Sequence, residues 1–597
     1  MNNEFKTKTC QSCKSSFTIE LDDLSFYEKM NVPAPTFCPL CRMQRRFSFR
    51  NERVLYKRKS DFTNEDIFTM YSEESGVKIY EKEIWMSDKW DPTEYGMDYD
   101  FSKPFFVQFF ELVKKVPFKA LNVVNGVNSP YVNNMTDPRN CYLVFNSGYV
   151  ENSMYGHGVD NSKSCVDVSH VSKCENCYEG FNLANCATSI YSSQCENSFN
   201  MAFCKNCVGC QDCFGCVNLR KKSYCIFNEQ YSREEYFEKI KSFNLGSYEN
   251  FQKIQKEVLS FWMMFPNKFL EGLQNVNVSG NYISHSKDVK NSFMIREGQN
   301  LHYCQYLQEG SPSKDCWDYS VWGDNSQMVY ECHACGIGIQ NIKFCLLCQE
   351  NVHDLYYSMC CEGASNNLFG CVNLRKKQYC ILNKQYTKEE YDKLVPRIIE
   401  QMNTVPYIDK NGLVYKYGEY FPVELSPFAY DTTLAQEYFP LSKKEIEEKG
   451  YSWVDTTERN YKIDINIGGL PDNISEVEDD IINKVIACEH KGECDQLCTT
   501  AFKIIQDELN FYRKMNLPLP RICPNCRTFE RLNQRTGMEL YERTCQCSGG
   551  EDDKGKYKNN IKHTHGDMPC GEVFKTSYGL DRKEIIYCEK CYQQEVS

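Results

Sequence analysis

The chain has 597 residues, a net charge of −12, and apolar and charged fractions of 41% and 25%. That length exceeds one hydrophobic core, so several domains are expected, and the acidic balance excludes wholesale coating of nucleic acid. The outlier is cysteine, with 36 residues. The start, Met1-Asn2-Asn3-Glu4, shows no apolar signal segment, so a cytoplasmic, reducing setting is expected, in which cysteines are metal ligands or small buried hydrophobes. No apolar run is long enough for a membrane helix, so no membrane contact is expected.

In chain order, residues 1–60 read as a zinc ribbon with a basic tail. Cys10-x2-Cys13 and Cys38-x2-Cys41 are two knuckles with 24 residues between the inner cysteines. Two ligands from each complete the tetrahedral thiolate site that structural zinc needs. Arg42, Arg46 and Arg50 follow at steps of four, one stripe of a helix. Arg45, Arg53, Lys57, Arg58 and Lys59 complete a basic set opposed by one acid, Glu52, with Phe47, Phe49 and Tyr56 interleaved. Such a patch can contact phosphates, and nucleic acid is the expected ligand. Its alternatives are a solvated face pairing with Glu20, Asp22 and Asp23, or docking on an acidic part of the same chain.

Residues 61–121 form an aromatic-rich α/β linker region with an amphipathic helix around Pro104 to Lys115. Residues 122–274 and 275–401 read as two halves with capping helices, in which roughly 122–228 and 275–383 are almost free of helical periodicity. They carry Asn/Asp-(Cys/Ser)-aromatic triplets, with the small residue at 141, 153, 165 and 177, a step of twelve. Ser292, Cys304 and Cys316 repeat that step. A short fixed period of this kind predicts a stacked parallel β-solenoid, and we expect twelve residues to be half of a wider coil of about 24, because narrow coils bury little. The halves are copies: Phe214-Gly215-Cys216-Val217-Asn218-Leu219-Arg220 recurs 155 residues on as Phe369 to Arg375. Each runs into a capping box, Ser232-x2-Glu235 and Thr387-x2-Glu390, which predicts a helix closing each half. The run Cys204, Cys207, Cys210, Cys213, Cys216 is read as small hydrophobes inside the solenoid in preference to an iron–sulfur motif.

Residues 402–485 read as a linker domain with a capping box at Ser442-x2-Glu445. The segment 486–543 is a second ribbon, with Cys494, Cys498, Cys523 and Cys526 as ligands and Cys488 and His490 as spare donors upstream. Its Arg527, Arg531 and Arg535 match the first stripe. A third ribbon, 544–597, offers Cys570, Cys588 and Cys591, with His565 taken as fourth ligand among His563, Cys545 and Cys547. Two to three Zn2+ ions follow.

The Cys-x2-Cys-x3-Phe…Phe-Tyr-x-Lys-Met-x-(Val/Leu)-Pro…Cys-Pro-x-Cys-Arg pattern resembles a zinc-ribbon domain family. The whole layout, including Cys498-Thr499-Thr500-Ala501-Phe502 and Tyr587-Cys588-Glu589-Lys590-Cys591-Tyr592, resembles multi-ribbon proteins of uncultivated small-genome bacteria. The resemblance implies metal sites and no particular activity.

The expected fold is thus mainly β, terminal zinc ribbons flanking a duplicated parallel β-solenoid with helical caps. P-loop, Gly-x-Ser-x-Gly, His-Glu-x-x-His and dinucleotide motifs are absent from the sequence. The expected function is a non-enzymatic zinc-binding scaffold that meets nucleic acid or a protein partner. The alternative is a carbohydrate-binding or carbohydrate-active solenoid, whose face would carry Asp167, His170, His157 and Asp160.

Overall fold

The computed structural model describes residues 6–307, 311–454, 462–494, 496–549 and 557–596. They group into two compact units, each assembled from separate stretches of chain. One comprises Met1–Leu121, Leu270–Val454 and Gly537–Leu540; the other comprises Asn122–Phe269, Asp455–Thr536 and Tyr541–Ser597. Each unit joins one solenoid half to a ribbon taken from a distant part of the sequence.

In the second unit, parallel pairing from Asn133 onward advances by twelve residues at each step, as in His157↔Ser169, Ser169↔Phe181, Phe199↔Gln211 and Gln211↔Ser223. Twelve residues are therefore one whole coil, and the expected 24-residue coil is wrong. The backbone shows how so short a coil closes. A left-handed residue recurs at every third position, for example Asn140, Leu143, Asn146, Tyr149 and Asn152. Each coil is thus four triplets, and each left-handed residue turns a corner. Asparagine tolerates that conformation best, and its amides ladder between coils: Asn128 donates to Asn140 at 3.0 Å and Asn140 to Asn152 at 2.9 Å.

The residue after each corner points inward. Val144, Ser153, Cys165, Cys177 and Cys207 are all fully buried. A corner every three residues leaves inward amides outside the strand ladder, and small polar side chains satisfy them. Ser153 Oγ accepts from the Cys165 amide one coil on at 3.1 Å, and Ser192 Oγ from Cys204 at 3.1 Å. Inward thiols donate to the carbonyl two residues back, as Cys165 does to Lys163 at 3.4 Å. The interior is too narrow for large residues yet needs hydrogen-bonding groups, which accounts for its serine and cysteine content. Cys204, Cys207, Cys210 and Cys213 are the four inward positions of one coil, and Cys216 stacks above Cys204, in line with the packing interpretation of this run.

The first unit repeats the design with longer coils. Pairing from Lys314 through Gln327, Gln340 and His353 to Asn366 advances by thirteen each time, then by twelve to Gln378. The offset between the halves therefore grows from 151 (Lys163 to Lys314) to 155 (Gln211 to Asn366). Cys304 and Cys316 are not equivalent positions, because Cys316 pairs with Leu301. Both halves end on helices, Arg233–Ser242 capped by Ser232 and Lys388–Thr404 capped by Thr387, each with the expected reciprocal capping box. The predicted helix of the linker region spans Phe105–Lys115, and that of the 402–485 segment spans Lys443–Glu448. Among the described residues no helix is long and apolar enough to cross a membrane.

Candidate metal centres and the docked arginine stripe

All three ribbons are built alike. A two-stranded hairpin delivers the first knuckle, Lys6–Thr9 with Ser16–Ile19 in the first ribbon and Tyr541–Thr544 with Val573–Thr576 in the third. The second knuckle opens a short helix, Pro39–Phe47, Pro524–Leu532 or Glu589–Val596, with proline at its start in the first two ribbons. Proline suits that position because its missing N–H needs no partner there.

In the first ribbon the sulfurs of Cys10, Cys13, Cys38 and Cys41 lie within 4.8 Å of one another, a group that can hold a metal ion. The Cys38 amide donates to Cys10 Sγ at 3.3 Å. The neighbouring thiols of Cys38 and Cys41 hold Cys10 far below the usual thiol range, as expected where several sulfurs converge on one point.

The second ribbon gathers Cys488, Cys498, Cys523 and Cys526. Cys488, expected only as a spare donor, stands in this group where Cys494 was expected. The Cys523 amide donates to Cys488 Sγ at 3.2 Å, repeating the Cys38 to Cys10 bond. The knuckle that spans three residues in the first ribbon spans ten here, from Cys488 to Cys498. Cys494 sits in the inserted loop with His490, its Sγ 3.7 Å from that of Cys526.

The third ribbon assembles Cys545, Cys570, Cys588 and Cys591. The Cys588 amide donates to Cys545 Sγ at 3.2 Å, the same bond again. Cys545 thus fills the position expected of His565, which lies instead beside His563 and Cys547. All 36 cysteines are free thiols. Fourteen of them belong to the ribbons, and the rest line or flank the solenoids.

The arginines at which nucleic acid was expected face carboxylates of the same unit. Arg42, Arg45, Arg46 and Arg50 are buried, Arg46 completely. Arg42 pairs with Asp318 at 2.8 Å, and Arg46 bridges Asp318 and Glu331 at 3.1 and 3.3 Å. Arg45 reaches Glu331 and Glu419, both at 2.9 Å. Arg50 pairs with Glu52 and Arg53 with Glu437. Lys57 and Lys59, on a strand beyond the helix, both reach Asp66, and Arg58 reaches Asp61. Phe26 of the ribbon stacks on Trp317 of the solenoid with ring centres 3.9 Å apart, and Asp23 takes hydrogen bonds from Trp317 and Tyr303. The same-chain docking alternative describes what the structure contains.

The second ribbon docks in the same way. Arg527 pairs with Asp167 at 2.9 Å and with Glu508 at 3.2 Å, and Arg531 with Asp167 and Glu179, both at 3.1 Å. Two arginines face three acids, and burial pushes the Glu179 carboxyl up to about 8. Asp167, which headed the carbohydrate alternative, is fully buried in this interface. His157 and His170 pack edge to face in a ladder that ends on Phe181.

No family model matches the chain, and no curated protein matches it in sequence. Among solved structures, one described as a "putative acetyltransferase from Desulfovibrio desulfuricans G20" aligns over 49% of this chain and 84% of its own, at 8% identity and a TM-score of 0.09. A score that low carries no conclusion about fold or function.

Proposed function

We propose that the protein is a non-enzymatic scaffold in which zinc-bound ribbons lock onto two β-solenoids and hold their outer faces in shape for a protein partner. The observation that carries this reading is the repeated docking, in which ribbon arginines are consumed by solenoid carboxylates in both units. Four-thiolate sites leave no open coordination position, so a metal bound there has a structural role. The resemblance of the knuckles to zinc ribbons supports zinc over iron, and three ions would fill Cys10/Cys13/Cys38/Cys41, Cys488/Cys498/Cys523/Cys526 and Cys545/Cys570/Cys588/Cys591.

The test pairs elemental analysis with chelation. At least three zinc ions per purified chain are expected, and their removal should loosen the ribbons while leaving the strand signal of the solenoids. Partners captured on the native chain should survive nuclease treatment. Iron as the main metal, or partners lost to nuclease, would overturn the reading.

A further inference from the structure

The insert within the first knuckle of the third ribbon, between Cys545 and Cys570, holds donors that its own four-cysteine site does not use. Cys547, His563 and His565 converge with Cys591, all four ligand atoms within 4.8 Å of one another. Cys591 is also a member of the Cys545, Cys570, Cys588 set. One sulfur therefore stands at the junction of two tetrahedral groups.

The histidines are oriented as ligands. His563 Nε2 lies 3.0 Å from Glu595 Oε2, with both side chains fully buried. That carboxylate holds the ring proton on Nε2 and leaves Nδ1 bare, facing Cys547 Sγ at 3.2 Å. His565 Nδ1 lies 2.6 Å from the Met568 carbonyl, which can only accept, so its proton is on Nδ1. Its bare Nε2 then faces two sulfurs, Cys547 at 3.4 Å and Cys591 at 3.3 Å. Cys547 Sγ in turn receives the Asn559 side-chain amide at 3.2 Å. Two bare ring nitrogens and two sulfurs converging on one point offer a cation four donors, and carboxylate or carbonyl partners on the far ring nitrogen are the usual supports of metal-bound histidine.

We infer that the C-terminal ribbon carries a two-zinc cluster in which the Cys591 thiolate bridges both ions. One ion is held by Cys545, Cys570, Cys588 and Cys591, and the other by Cys547, His563, His565 and Cys591. Each ion then has four ligands from seven side chains. This deepens the zinc-scaffold reading and rests on it.

Native mass spectrometry of the dialysed full-length chain should count four zinc ions, where the ribbon sites alone give three. Replacing zinc with 113Cd should give a resonance from a four-sulfur site coupled through one shared sulfur to a resonance from a two-sulfur, two-nitrogen site. The double variant His563→Gln/His565→Gln should hold one ion fewer, and Cys591→Ser should lose both cluster ions. Three ions in the unmodified chain, or an unchanged count in the histidine variant, would overturn the cluster while leaving the three-ribbon reading intact. Fewer than three ions would sink both. The cadmium spectrum uses the unmodified chain, so a variant that fails to fold does not spare the proposal.

Discussion

Replacing Arg46 with methionine separates a docked stripe from a ligand surface. The Arg46 side chain is fully buried and hydrogen-bonds Ser320 Oγ, Asp318 Oδ1 and Glu331 Oε1 at 3.0, 3.1 and 3.3 Å. Deleting one member of a buried ion cluster costs about 3–5 kcal/mol, because a desolvated charge is left behind. The lower end applies here, since Arg42 still holds Asp318 and Arg45 still holds Glu331. The expected loss of about 3 kcal/mol corresponds to roughly a hundredfold fall in protection. Because a chain of several units has no single unfolding free energy, the assay is hydrogen exchange at amides 38–50 in the intact protein. The double variant Arg46→Met/Asp318→Asn restores charge balance and should recover part of the loss, with a coupling of about 1–3 kcal/mol. Unchanged protection in Arg46→Met, together with weaker nucleic-acid binding, would refute the docked arrangement.

Other consequences follow from the same coordinates. Cys488→Ser should remove one zinc ion and Cys494→Ser none; the opposite result would restore the shorter knuckle. Cys165→Ser or Cys177→Ser should leave metal content unchanged, and an ion lost from either would contradict the packing role of interior thiols. Tyr149 holds a left-handed conformation with φ near 57° and is well exposed, so Tyr149→Asn should stabilise the second unit by up to ~1 kcal/mol; destabilisation in thermal melts would argue against the triplet geometry. His333 is fully buried with neither ring nitrogen hydrogen-bonded, and burial, then Arg50, keeps its pKa well below the usual value. Its folded pKa is depressed, so the unfolded chain alone takes the proton below about pH 6.5 and stability falls as pH drops through that point. His333→Leu should flatten that fall by about 1.4 kcal/mol per pH unit, measured as denaturation midpoints between pH 7 and 5; an unaltered slope would count against a buried neutral ring.

What could be read from the sequence was local. Ribbon knuckles, capping boxes and the step of twelve all sit within a few residues of one another, and they recover the fold class and most of the cysteines that the structure gathers into groups of four. Cys488 was read only as a spare donor because an insertion stretched its knuckle to ten residues and placed Cys494 near the usual distance. The coil length was misjudged although a signal for it was present: cysteines at 204, 207, 210, 213 and 216 mark a period of three, and four such triplets make twelve. Judging burial by analogy with wider coils hid this, since the narrow interior is stabilised by serine and cysteine hydrogen bonds as well as by apolar area. The carboxylate partners of the arginine stripe could not be named from the sequence because they are far off along the chain. Asp318 is 276 residues from Arg42, and nothing near either residue records the pairing.

The spacing of that stripe nevertheless has a structural cause. Residues four apart on a helix are separated by about 6 Å along its axis, and stacked strands are about 4.8 Å apart. A helix laid across the coils can therefore offer arginines four residues apart to carboxylates on adjacent coils. Asp318 and Glu331 are thirteen apart, one coil of the first unit, and Asp167 and Glu179 are twelve apart, one coil of the second. The acid spacing changes with the coil length while the arginine spacing stays at four, as it must if one set belongs to a solenoid and the other to a helix. Inserting a residue between Asp167 and Glu179 should therefore be tolerated if it lengthens the coil to thirteen. Inserting one between Arg527 and Arg531 turns the second arginine about 100° around the helix and should undock the ribbon. Exchange protection of the 524–532 helix decides the matter: if both insertions cost the same, coil-by-coil pairing is not what holds the ribbon in place.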